Sequence, residues 1–165
     1  MQYGVCSDDA GNLIINNSSD PNTGVKNFLV FPKGENGPNK EDVRRIKAPS
    51  SGSFSDARTN YISAKGNVLN GTGYIYFFPA GKNYVQIATI IDGTCTSITK
   101  HENLSVTSGG TSGGYVIPID GLTHYIYNER STSYAGYSLY IRKRTGELYH
   151  RKTWMPCHGS DRLLI

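Results

Sequence analysis

Apolar and polar positions alternate with a period of two along most of the chain. In YVQIATII, Val85, Ile87, Thr89 and Ile91 point one way, and Tyr84, Gln86, Ala88 and Ile90 the other. In YIYFF, Tyr74, Tyr76 and Phe78 share one face, and Ile75 and Phe77 the opposite one. Both faces of each run are rich in apolar or aromatic residues, so these segments are expected to be strands buried on two sides. YVIPI and THYIYN continue the same β-branched and aromatic character around Asp120-Gly121, a turn signal. Pro118 interrupts the first of them, which points to an edge strand or a bulge.

Turn residues punctuate these runs at Asp20-Pro21-Asn22, Pro32-Lys33-Gly34, Asn36-Gly37-Pro38, Asn70-Gly71 and Asp92-Gly93. Short strands separated in this way predict an all-β, antiparallel sandwich-like fold of one or two small units. The one helical candidate is NKEDVRRIKA, where Val43, Ile46 and Lys47 would share a face; VRRIKA reads equally as an edge strand with basic gatekeepers. The chain, 1–165, is read as a single all-β unit. The polar tracts at 48–56 and 107–114 are the places where it would subdivide.

Composition strengthens the β reading. The chain has 19 Gly and 12 Tyr, with 37% hydrophobic and 18% charged residues. Tyr suits a pleated surface and Gly suits its turns. A formal charge of +4 is too mild to call for nucleic acid or an anionic membrane. No stretch approaches the roughly 20 apolar residues of a membrane span. MQYGVCSDDAG lacks the basic start and apolar run of a secretory signal. Three widely spaced cysteines, Cys6, Cys95 and Cys157, are therefore expected to remain reduced.

Two segments echo each other. Residues 3–16 read YGVCSDDAGNLIIN and residues 137–150 read YSLYIRKRTGELYH. Each runs tyrosine, small residue, aliphatic residue, polar turn, then Gly-x-Leu and further strand. Tyr3 to Gly11 spans 8 positions and Tyr137 to Gly146 spans 9, a difference that a longer turn or a bulge absorbs. Related hairpins are expected at the two ends of the chain, with Tyr3 and Tyr137 packing inward as equivalent positions.

Tyr3, Gly4, Val5, Gly11 and Leu13, and again Tyr137, Leu139, Gly146 and Leu148, resemble the YGLxVxxxxGxL-type hairpin of small tail proteins of double-stranded DNA bacteriophages and prophages. Cys6-Ser7 and Ser138 depart from that pattern. The resemblance implies a virion structural protein in the tail or tail tip, made in the host cytoplasm. It implies several copies following the tail's symmetry and contacts with other tail proteins. It supplies no catalytic residue.

The remaining chemistry is sparse. Cys157 and His158 are adjacent and His150 lies seven residues upstream of Cys157, but zinc sites use paired ligands at short spacing. TSGGTSGG contains neither a nucleophile elbow nor a phosphate loop. No catalytic residue, metal or cofactor is expected, and the chain is read as a non-enzyme. Candidate recognition residues are the aromatics Tyr125, Tyr127, Tyr134, Tyr140 and Trp154, and the basic run Arg142, Lys143 and Arg144. Tyr and Trp give rigid contact area with a polar handle at protein interfaces and on sugar faces. A carbohydrate- or host-receptor-binding module of adhesin type is thus the alternative function. The basic run is read as a solvated hairpin or a contact for an acidic neighbour; nucleic acid is not an expected partner.

Overall fold

The computed structural model describes residues 4–17, 27–52, 54, 62–77, 84–101, 116–120, 124–130, 137–145 and 147–154. Every regular element among them is a strand, and all pairings are antiparallel. The strands are β1 (Val5–Ser7), β2 (Leu13–Asn17), β3 (Asn27–Phe31), β4 (Lys33–Gly34), β5 (Gly37–Pro38), β6 (Arg44–Lys47), β7 (Ile62–Gly66), β8 (Thr72–Phe77), β9 (Val85–Ile91), β10 (Thr94–His101), β11 (Val116–Asp120), β12 (His124–Arg130), β13 (Tyr137–Lys143) and β14 (Leu148–Trp154).

They form a front sheet in the order β1-β2-β3-β6, a central sheet β10-β9-β8-β7, a rear sheet β11-β12-β13-β14, and the small β4-β5 ribbon. The front and central sheets pack face to face. Ile14, Phe28, Val30 and Ile46 from the front sheet meet Ile62, Ala64, Ile75, Phe77, Ala88 and Ile90 from the central one, all buried. Phe54 enters the same core and sets its ring edge-on to Phe28 and Phe77, with centroids 4.8 and 5.9 Å away. The polar tract from 48 to 56 thus carries a core residue.

The central sheet is buried on its second face as well. Tyr76 pairs with Ile87 across β8 and β9, and both are fully buried; Tyr74 and Val85 are buried on the same side. This is the two-sided burial expected from the YIYF and VQIATI runs. β11 lies against β7 and β8 on the rear-sheet side. Asp92 and Gly93, both at positive φ (47° and 78°), make the tight turn between β9 and β10 that their sequence predicts.

Two other readings resolve cleanly. Arg44–Lys47 is the outer strand of the front sheet, so the helical candidate is corrected to the edge-strand alternative. The reason is local: with period two Ile46 turns into the core, while Val43, Arg44, Arg45 and Lys47 stay exposed. Pro118 sits in an edge strand, β11, and the pairing with β12 shifts register between Pro118 and Asp120. An edge bulge spares proline the ladder bond it cannot donate.

A polar clasp ties the β1-β2 loop to the β7-β8 turn. The Asp8 carboxylate, 6% exposed, accepts hydrogen bonds from Asn12 N (2.9 Å), Asn12 Nδ2 (2.8 Å) and Val68 N (3.0 Å). Asp9 accepts from Gly66 N (2.7 Å) and from Lys65 Nζ (3.0 Å). The adjacent acids are turn residues, as their sequence suggests, but Lys65, Gly66 and Val68 among their partners lie 56 to 60 positions away. Gly66 is required there: at φ +76° a Cβ would fall 2.3 Å from the Thr72 carbonyl oxygen.

Candidate functional site

The basic run lies where the rear sheet meets the central one. β13 carries Arg142 and Lys143 at its end, and Arg144 follows in the turn. The Arg144 guanidinium sits over the Tyr74 ring, 4.7 Å from its centroid. Such a cation–π contact contributes about 0.5–2 kcal/mol, more as water is excluded. Lys143 Nζ pairs with Glu147 Oε2 at 2.8 Å, an exposed i,i+4 bridge of little energetic weight.

His101, at the end of β10 and 5% exposed, completes this seam. Burial pushes its pKa down to about 4, and the positive charge of Arg142 adds to the effect. A hydrogen bond with the Arg144 backbone opposes the shift, and the Arg144 charge reinforces it. The imidazole is therefore neutral near neutral pH, a buried group that feels the Arg142 and Arg144 charges.

The predicted aromatics are distributed differently. In the rear sheet Tyr127 stands opposite Tyr140, and Tyr125 opposite Arg142. Trp154 pairs in register with Tyr137, at the far end of β13 from Arg142. The strand register thus brings Tyr125, Tyr127, Tyr140 and Arg142 to neighbouring positions and leaves Trp154 apart. Tyr134 lies outside the described residues, as does Cys157.

The other thiols are unreactive by environment. Burial, then the Asp8 charge, pushes Cys6 up to about 12; burial raises Cys95 to about 11. Protonated thiols are poor nucleophiles and poor metal ligands. Among the described residues no group of three or more His, Cys, Asp or Glu is arranged to hold a metal. No helix among them is long and apolar enough to cross a membrane.

The two terminal hairpins share one loop. Ser7 pairs with Leu13, and Arg142 with Leu148, so each encloses five residues: 8–12 (DDAGN) and 143–147 (KRTGE). In each, the first loop residue donates its N–H to the carbonyl of the fifth: Asp8 to Asn12 at 3.1 Å, and Lys143 to Glu147 at 2.9 Å. Glycine is fourth and leucine follows directly in both. Counted back from the first loop residue, Tyr3 is five positions away (8 − 3) and Tyr137 six (143 − 137). The tyrosines are one step out of register, because the loops have equal length. Tyr3 itself lies outside the described residues.

One surface escaped the sequence reading. On the outer side of the front sheet, Val5, Ile15, Leu29 and Arg45 form one cross-strand row, and Ser7, Leu13 and Phe31 the next. Val5 is 57% exposed, and Ile15, Leu29, Leu13 and Phe31 are each partly exposed. The signal was present in the runs LII and FLVF, which are apolar without alternation. No known protein family, curated protein or solved structure matches the chain.

Proposed function

We propose that the chain is a structural subunit of a bacteriophage tail, present in several copies and acting through protein–protein contacts without chemistry of its own. The observation that carries this reading is the loop shared by the terminal hairpins. Both follow the five-residue plan with glycine fourth and leucine next, closed by the same backbone bond. Gly11, Leu13, Gly146 and Leu148 of this plan are among the residues on which the likeness to tail-protein hairpins rests. Each hairpin also supplies an edge strand to its sheet, β1 in front and β14 at the rear. Edge strands are where neighbouring subunits add contacts most readily.

The charge arrangement agrees with this role. Arg144 is engaged on Tyr74 of the central sheet, and Lys143 on Glu147 of its own hairpin. Quantitative mass spectrometry of purified phage particles tests the reading. The chain should be found in intact particles at a stoichiometry that is a multiple of the tail's symmetry. Its absence from particles, together with substrate turnover by the isolated chain, would refute it.

A further inference from the structure

We propose that Asn70-Gly71 is a latent site of spontaneous backbone modification, and that the Asp92 carboxylate holds it closed while the chain is folded. The inference is independent of the assembly role and concerns what limits the lifetime of the fold. In an Asn-Gly pair the glycine nitrogen can attack the asparagine side chain, because no glycine Cβ stands in the way. Such a pair lies in the turn between β7 and β8, and both of its residues are exposed. Gly71 has φ +90°, and among the described residues nothing lies within 4 Å of a Cβ built on it. Water reaches the pair and no neighbour crowds it.

The reaction balances with water alone. A bond forms between Gly71 N and Asn70 Cγ as the Cγ–Nδ2 bond breaks. The Gly71 proton leaves with the side-chain nitrogen as ammonia, and a succinimide ring remains. The ring then takes up one water. Opening at one carbonyl gives aspartate at 70; opening at the other gives isoaspartate, with an extra methylene in the main chain.

Three contacts oppose the first step. The Gly71 N–H donates to Asp92 Oδ1 at 2.7 Å, so a carboxylate grips the nitrogen that must attack. Removing its proton there would set a nascent amide anion against a negative charge. Gly71 O accepts from Asp92 N (2.9 Å), and Asn70 N donates to Asn67 Oδ1 (3.0 Å). Rotating the peptide to bring its nitrogen onto the Asn70 side chain would break these bonds. Asp92 itself sits at φ 47°, a conformation that Asp tolerates better than most residues. The guarded turn is also continuous with the polar clasp, since Gly93 N donates to Val68 O and Val68 N donates to Asp8. A new charge and a longer backbone at 70 would therefore loosen the joint between the front and central sheets.

Peptide mapping by mass spectrometry, after incubation at mildly alkaline pH, tests the proposal. Conversion at 70 is followed as loss of ammonia with gain of water, and isoaspartate by methyltransferase labelling. Wild-type chain unfolded in guanidinium should convert at 70 at least roughly fivefold faster than folded wild type. Asp92→Gly removes the carboxylate and suits the positive φ. The folded variant should convert at 70 roughly fivefold faster than folded wild type, and at the wild-type rate once unfolded. Conversion at the second pair, Asn36-Gly37, gauges general loosening and should not change. Equal conversion at 70 in folded variant and folded wild type would overturn the proposal, as would equal conversion in folded and unfolded wild type. Acceleration at 36 and 70 by the same factor would also overturn it, because the substitution would then act through the whole fold.

Discussion

The central and front sheets are made of similar strands and meet in the same core, but they differ in what covers them. Tyr76 and Ile87 of the central sheet are fully buried on the side away from the front sheet, and Arg144 closes over Tyr74 there. In the front sheet, Leu29 and Ile15 occupy the corresponding outward positions and remain partly exposed. Unbroken apolar strands therefore mean two things in one molecule. In the central sheet the second face is buried within the chain; in the front sheet the outer apolar row stays partly exposed.

The largest expected effects come from breaking either covered face of the central sheet. Phe77→Ala, toward the front sheet, should cost about 3–5 kcal/mol, and Ile87→Ala, toward the rear, about 2–5 kcal/mol. Leu29→Ala should cost less, about 1–2 kcal/mol in the isolated chain, since a partly exposed side chain loses less packing. Urea unfolding of the three variants measures the contrast. A Leu29→Ala cost equal to that of Ile87→Ala would mean that the front face is already covered within the chain.

Acid sharpens the comparison, because the seam behind the central sheet holds a titrating group. His101 binds its proton near pH 6.5 when unfolded and only near pH 4 when folded. Between these values the unfolded chain holds more protons, so stability falls as pH drops through that window. The loss approaches roughly 3 kcal/mol once pH is below 4. Unfolding curves from pH 7.5 to 4 should show this slope, and His101→Gln should flatten it. An unchanged slope in the variant would remove His101 from the account.

Two smaller effects probe the clasp between the front and central sheets. Asp8→Ala leaves the Val68 and Asn12 donors without their buried acceptor and should cost about 2–3 kcal/mol by thermal unfolding. Asp9 is held below the usual carboxylate range, first by the Gly66 N–H and then by Lys65 against a small burial penalty. Its stabilisation is present above pH 4 and fades as pH falls below that. Because Asp9 is half exposed, Asp9→Asn at pH 7 should cost only a few tenths of a kcal/mol.

Much of the fold was legible because its signals are local. Period two with apolar residues on both faces marked β8 and β9, Pro118 marked an edge and a bulge, and Asp92-Gly93 marked a tight turn. The site was less legible, because its contacts are distant in sequence. Nothing near His101 announces Arg142, and nothing near Asp8 announces Val68. The basic run was visible, but its engagement by Tyr74 was not. The terminal echo was found yet aligned on the tyrosines, one residue away from the register that the loop-closing bonds set.

Imaging of the intact particle by electron cryomicroscopy tests the central claim most directly, since it shows location, copy number and covered surfaces together. The account predicts density for this chain in the tail, repeated with the tail's rotational symmetry. Particles lacking the chain would contradict the tail assignment.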